Sequence, residues 1–556
     1  MRGMQRYQAD ARVTARDEGS MGGRAAGMVT AGSVSGDEAR RGGAKLVAIA
    51  LALALAGCAV GPDYRTPTAK RLGVPAQFSA DIAAGAEAPS EQELGSWWAA
   101  LGDPLLDRLV SAALAANPDI DAAGARLRQA RASYRGARAV LFPTLTGGGS
   151  IGHTALIGKG SGGGGLITNP GGGTTSFATG GTSDQYAASL DASYEVDLFG
   201  GTRRSIEAAK ADYASAADSL RDTQRSIVAE VALDYVDARS AQERLAIARS
   251  NLKTQDETVQ LVGWRVKAGL VSSLDLAQAR AQREQTAATV PELETSFTQS
   301  VNGLAILTGR APGTVTADFE PARPVPVADR ALGADVPAAV LAQRPDVRAA
   351  ERTLAAATAR IGVAKADLYP ALRLSGTLGG NGTSIGDISR FSTGSLLAAV
   401  SAPIFDAGAI RAKIESARGG ADLALAQYRS AVLTALSDVE NALVALANSR
   451  RRVVTLGEAV DDSHAALVFA QSQYRVGLID FQTLLDSERT LLASQDGLAQ
   501  ARAERATALV QLYKALGGGW QAAPMPASAL PYTPAMIELP DVASPPAETA
   551  GTTERH

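Results

Sequence analysis

Cysteine, histidine and aromatic side chains are what this 556-residue chain has least of: one Cys, three His and 5% Phe, Trp and Tyr. A sole cysteine, Cys58, can form no internal disulfide, so no covalent framework holds the fold. His153, His464 and His556 stand far apart, and no Cys, His and Asp spacing resembles a metal site. No apolar run reaches the roughly eighteen residues that a membrane-spanning helix needs. Charge of one sign is also missing. A net charge of −3 and a pI near 5.9 leave no electrostatic footprint for nucleic acid. The segment from Gly152 to Gly158-Lys159 has one residue too many for a phosphate-binding loop and no Ser or Thr after its lysine. No serine sits in a nucleophile elbow with a partner histidine. The chain therefore reads as a non-enzyme without a resident cofactor.

What is present begins with an export signal. Arg40, Arg41 and Lys45 precede the apolar run Leu46 to Ala56, a positive n-region and a short h-region. The run ends in Leu55-Ala56-Gly57-Cys58, which resembles the bacterial lipobox, whose cysteine becomes the lipidated first residue. Ala59 follows where lipoproteins held at the inner membrane often carry Asp, which favours the outer membrane. The plain alternative is a simple signal peptide with a chance cysteine. Residues 1–39 belong to neither signal nor domain, and lipid alone would anchor the chain weakly.

From Tyr186 to Leu198 apolar and polar residues alternate, with Ala187 the one lapse, as a half-buried strand requires. Gly200 and Gly201 break the pattern, and a proline-free helical run starts at Thr202. The junction recurs 208 residues later, where Gly408, Arg411 and Ile414-Glu415 match Gly200, Arg203 and Ile206-Glu207. The preceding helix recurs as well. Asn117 caps it, Pro118 opens it, and Pro118-Asp119 and Phe142-Pro143 match Pro345-Asp346 and Tyr369-Pro370 at an offset of 227. The difference of nineteen residues falls in the Gly/Ser/Thr stretch Gly147–Ser183, read as a flexible loop between two strands. An internal duplication is the least strained account, each half running helix, strand, loop, strand, long helix, turn, helix.

The long helices carry a seam of sevens: Ile206, Tyr213, Leu220 and Ile227, a jump of four to Val231, then Ala238, Leu245, Leu252, Val259 and Val266. The second copy keeps both the seam and the jump: Ile414, Ala421, Tyr428 and Ala435, then Val439, Leu446, Val453, Val460, Leu467 and Tyr474. Heptads supercoil two helices, and a four-residue stutter straightens them. A helix from Thr202 to Ala268 is about 100 Å long at roughly 1.5 Å per residue, more than a globular core needs. Matching turns at Gly269-Leu270 and Gly477-Leu478 end both helices and lead into return helices, Asp275–Arg310 (interrupted at Pro291) and Phe481–Leu516. Four strands of about ten residues suit a tilted bilayer crossing, but four cannot close a barrel, so if these strands lie in a membrane several chains must share one.

The boundaries follow: 1–57 leader and signal peptide; 58–95 extended N-terminal segment; 96–310 first repeat, with strands at about 143–199 and a helical hairpin at about 202–310. A linker at 311–335 leads to the second repeat, 336–516, with strands at about 370–405 and a hairpin at about 409–516. A proline-rich segment, 517–556, is expected to fray at its end.

The lipobox, Val60-Gly61-Pro62-Asp63-Tyr64, Trp97-Trp98 with Asp103-Pro104, Arg344-Pro345-Asp346 and the two Gly-Leu turns, in this order, resemble the TolC/OprM/NodT outer-membrane factors of tripartite efflux systems. The resemblance covers about Cys58 to Trp520. It implies a mostly α fold with transmembrane β: a homotrimer whose twelve strands close one outer-membrane barrel, continued by a periplasmic α-helical barrel with a mixed equatorial belt. It implies passive conduction of drugs, dyes, solvents or metals, with a periplasmic membrane-fusion adaptor and an inner-membrane RND-type transporter as partners. It places adaptor contacts at Gly269, Leu270, Gly477 and Leu478, and a pore constriction at Asp486 with Arg489 three residues on. Some members carry a second acid where this chain has Thr483, so a single acidic ring is implied. On their own residues the Gly-Leu turns also read as helix caps, and Asp486 as an acid suiting a helix-start dipole. A periplasmic adaptor needs no duplicated strand pair, and a purely structural lipoprotein needs no alternation from Tyr186 to Leu198. A type I protein-secretion outlet uses the same architecture and is the alternative within the channel class.

Overall fold

The computed structural model describes residues 59–78, 89–155, 166–168, 174–176, 182–326, 337–388 and 393–531. All lie in the unit Cys58–His556; the signal, Cys58 itself and the last 25 residues, 532–556, fall outside them. Helix α1, Pro104–Ala116, starts where Asp103 accepts from the Leu105 amide, and α2, Pro118–Ala139, where Asn117 accepts from Asp119 and Ile120. The Asn117 side-chain amide also donates 2.9 Å to the Leu307 carbonyl, tying this cap to the end of a later helix.

Strands β1 (Thr144–Ala155), β2 (Thr182–Val196), β3 (Ala371–Gly382) and β4 (Thr393–Ser401) form one antiparallel sheet in the order β1-β2-β3-β4. Opposite Asp191 stands Thr377, whose hydroxyl donates 2.9 Å to its carboxylate; opposite Glu195 stands Arg373, paired at 3.2 Å. The other face aligns Leu190 with Leu378, Tyr194 with Leu374 and Val196 with Leu372, so the alternation expected from Tyr186 onward is one polar and one apolar face. The flexible loop expected from Gly147 is shorter than that. Gly147 to Ala155 continue β1, paired residue for residue with Leu190 to Thr182, because the ladder of backbone bonds compensates for the missing side chains. Within the expected loop, Leu166–Thr168 and Thr174–Ser176 pair as a small separate ladder. Among the described residues, the outer edges of β1 and β4 have no strand partner.

Each half then runs into a helix of 67 residues, α3 (Gly201–Lys267) and, after α5 (Pro345–Ala366), α6 (Ala409–Arg475). Their N-caps are the glycines Gly200 (φ 81) and Gly408 (φ 90), in a left-handed conformation that costs other residues dearly. A glycine has no side chain to cap with, and a nearby aspartate substitutes. Asp197 accepts from the Thr202 and Arg203 amides, and Asp406 from those of Gly408 and Ile410. Every position of both heptad seams is buried or half-buried, and the central ones, Leu220 to Ala238 and Tyr428 to Leu446, are fully buried.

The return helices α4 (Ser273–Leu307) and α7 (Phe481–Ala515) are 35 residues each. Pro291 does not interrupt α4 as expected. It lies on the exposed side, where the Ala287 carbonyl that loses its helical donor can turn to solvent, while packing against α3 holds the helix. Near mid-length the body is closed by Trp97, stacked on Tyr513 at 5.2 Å, with Phe319 and Tyr235 behind. The C-terminal segment does not fray where it begins. Gly519 donates to the Leu94 carbonyl, Gln224 to that of Pro524 and Arg131 to that of Ala529, so it is packed as far as Ala529.

Candidate functional site at the helical tip

Both hairpin turns are built the same way. Gly269 (φ 71) donates to the Val266 carbonyl and Leu270 to Arg265; Gly477 (φ 78) donates to Tyr474 and Leu478 to Gln473. This pair of crossed bonds satisfies the last carbonyls of α3 and α6 and requires glycine at the left-handed position. The caps leave Leu270 and Leu478 facing solvent, 68% and 75% exposed, beside the exposed Trp264, Leu274 and Val476. Five large apolar side chains are thus exposed on and around the two turns.

The two hairpins are laced together immediately behind this tip. Arg265 of α3 donates to the carbonyls of Tyr474 (3.0 Å) and Arg475 (3.5 Å) at the end of α6, and lies 4.5 Å over the Tyr474 ring. A cation at a helix C-terminus also meets the negative end of its dipole. Val262, Ala279, Leu467, Phe481, Leu484 and Leu485 pack below. Because Leu484 and Leu485 are buried, the next residue round the helix, Asp486, must point out, and its side chain is 59% exposed. Gln482 donates 3.0 Å to it, and Arg489 approaches to 3.8 Å. Asp486 is not the helix-start acid. Asp480 is the cap of α7, accepting from the Thr483 amide and hydroxyl, so Thr483 is spent on that cap, and Asp486 lies beyond the first turn. These bonds hold the Asp480 carboxyl below its usual range. Arg489 turns instead to the other hairpin, donating 2.6 Å to Gln282 of α4. Cys58 lies outside the described residues.

The profile of the outer membrane efflux protein family matches residues 109–310 and 336–518. The chain belongs to that family. Among relatives, nodulation protein T of Rhizobium leguminosarum bv. trifolii is 32% identical over 84% of this chain and 96% of its own. The pyoverdine export outer membrane protein OpmQ of Pseudomonas aeruginosa is 33% identical over 85% and 96%, and the toluene efflux pump outer membrane protein TtgC of Pseudomonas putida 31% over 84% and 94%. Among solved structures, the outer-membrane channel OprN superposes with a TM-score of 0.73 at 37% identity, over 84% of this chain and all of that one. The protein is thus an outer-membrane efflux channel protein, and the strands and long helices described above are those of that channel class.

In this efflux protein α3 and α7 share a polar seam, running from mid-helix toward the tip, that heptad reading missed. Across α3 and α7, Glu243 pairs with Arg502, Arg244 with Asp496, Asn251 with Gln495 and Thr258 with Glu488. The last two pairs are seven residues apart on each helix and run in opposite directions, as an antiparallel coiled coil requires. Glu488 is only 3% exposed, and burial pushes its carboxyl up from the ordinary glutamate value, Thr258 partly opposing. Its second oxygen and both polar atoms of the buried Gln255 side chain have no partner among the described residues. The signal for Glu488 was in the sequence: it interrupts the apolar stripe between Leu484 and Leu491. Arg265 left no such signal, since its partners are carbonyls 209 and 210 residues away.

Proposed function

We propose that three copies of this protein close a twelve-stranded barrel and form the outer-membrane conduit of a tripartite pump, conducting drugs or other small toxic compounds passively. The observation that carries this is the sheet: four strands whose two outer edges are unpaired among the described residues, one polar and one apolar face, and two 67-residue helices leading from it. Open edges are not tolerated in lipid, and only further copies can close them. An internal duplication accounts for paired elements of equal length and suggests how the copies meet. On α3, Ser215 bonds to Ala349 and Thr353 of α5, and Asp212 pairs with Arg360 at 2.6 Å. The positions 208 residues later on α6 are Leu423 and Gly420, and they line an open groove of about 560 Å³ between α5 and α6. An 18-residue window of α6 has a mean hydropathy of 1.3 and is only 33% buried. Helix α2 of the next copy fits that groove as α5 fits α3.

The exposed tips at Gly269-Leu270 and Gly477-Leu478 would receive the periplasmic membrane-fusion adaptor, which couples to an RND-type transporter in the inner membrane. Asp486, with Arg489 beside it, would ring the pore constriction, and Cys58 would carry the lipid that adds to anchoring by the barrel. Relatives of near-equal similarity carry the names of pyoverdine export and toluene efflux, which supports small-molecule efflux and names no one substrate for this chain. Electron microscopy of the detergent-purified mature protein tests the assembly: three-fold particles with a narrow helical extension on the order of 100 Å are expected. Stable monomers would overturn it. Deletion of the gene is expected to sensitise cells to lipophilic toxicants; unchanged sensitivity with lost secretion of a protein would favour the secretion outlet.

A further inference from the structure

The segment after Cys58 was expected to be a plain extended leader, yet its first residues occupy a built site. The Val60 amide donates 3.0 Å to the Phe199 carbonyl, just past the end of β2. Arg204, in the first turn of α3, has a side chain only 6% exposed and spends its guanidinium almost wholly on the leader. Its Nε donates to the Val60 carbonyl (3.3 Å), and its Nη2 to those of Ala59 and Gly61 (3.5 Å each) and to Asp63 Oδ1 (2.7 Å). Its Nη1 is held by Glu207 at 2.8 Å, which fixes the fork in place.

Three glycines make room for this approach. Gly61 (φ 111) lies so close to α5 that a Cβ on it would stand 2.5 Å from the Cα of Gly362. A Cβ on Gly362 would meet the Val60 carbonyl at 2.8 Å, and one on Gly200 would stand 2.6 Å from the Cα of Ala59. Backbone on backbone at such distances admits no larger side chain. Further along, Tyr64 and Thr66 donate to Glu351 of α5, and Leu72 is buried among Leu354, Tyr428 and Val432.

We propose that Ala59–Asp63 is a docked strap whose seat, formed by Arg204, Gly200 and Gly362, holds the start of the mature chain at the strand–helix junction, with Arg204 as its positioning residue. The consequence rests on the lipidation reading above: an acyl group one residue before Ala59 would then enter the membrane beside the strands rather than at the end of a free tether. Seat and lipid are separable by experiment.

Arg65 is exposed just beyond the strap, and trypsin needs locally unfolded chain on both sides of its site, so the rate of cleavage after Arg65 in the purified assembled protein reads how often the strap opens. Gly61→Val lies on the strap alone and cannot unfold the body; it is expected to speed cleavage about tenfold, the loss of one or two charge-assisted bonds. Arg204→Met should do the same, and Arg204→Lys, which keeps a charge toward Asp63 but loses the fork, should fall between. Cys58→Ala should keep wild-type protection while incorporating no palmitate. Wild-type cleavage rates in Gly61→Val and Arg204→Met would overturn the seat. So would loss of protection in Cys58→Ala, because the strap would then be held by lipid rather than by Arg204.

Discussion

Thr258 of the first hairpin donates its hydroxyl hydrogen to Glu488 of the second across 2.6 Å, in a site where the other Glu488 oxygen has no partner among the described residues. An acid buried among Leu484, Leu485 and Leu491 is costly when ionised, and this one joins the hairpins behind the tip. The Thr258 bond favours the ionised form, but burial outweighs it, so the folded protein holds this proton more tightly than the unfolded chain does.

Glu488→Gln is expected to raise the melting temperature at pH 8 and to change it little at pH 4. The folded-state value is raised by burial, so the stability contribution is present below the unfolded value, about 4.3, and is lost as pH rises through the folded one. Calorimetry of the detergent-solubilised protein at both pH values measures this. A variant less stable at pH 8 would mean that ionised Glu488 has partners beyond Thr258.

Asp234 behaves similarly higher on α3. Burial first, then Glu230 and Asp237, push its carboxyl up to about 6. Asp234→Asn should stabilise the protein by about 1–3 kcal/mol above pH 7, with the gain vanishing below pH ~4. Equal melting temperatures for variant and wild type at pH 8 would count against the raised folded-state value.

Arg265→Ala removes the bonds to the Tyr474 and Arg475 carbonyls and the contact over the Tyr474 ring. The expected cost is about 1–2 kcal/mol, felt locally at the tip. Hydrogen exchange should accelerate at the last turn of α6 and not in the seam around Tyr235. Acceleration spread through the whole chain would place the loss elsewhere.

Asp486→Ala is expected to raise single-channel conductance in planar bilayers and to reduce cation preference, since it removes one exposed negative charge per copy. Arg489→Ala should loosen the tip as well, because Arg489 also holds Gln282. Unchanged conductance and selectivity in both variants would remove them from the constriction.

Much of the fold was legible because its signals are local. A period of two from Tyr186 to Leu198 became β2, and sevens with one jump of four became the buried stripe of α3 and α6. The glycine turns were legible for the same reason: a left-handed helix end needs glycine wherever it occurs. Reading composition alone misled where long-range pairing compensates, as at Gly147–Gly149 in β1 and at Pro291 in α4.

The candidate site was half legible. The turns, Leu484-Leu485 and the outward place of Asp486 follow from helix geometry, because a buried pair dictates which way the next residue points. The role of Thr483 does not, since its hydroxyl was free to face the pore until Asp480 took it.

By itself the sequence determined where the helices and the second strand of each pair lie, where the chain turns and which stripe each long helix buries. All of these depend on residues within a few positions of one another. Only the tertiary structure decided that Arg265 would cap α6, that Glu488 would meet Thr258, and that Arg204 would clamp Ala59–Asp63. Each of these bonds joins groups more than a hundred residues apart, and periodicity says nothing about which distant acceptor a buried donor will face.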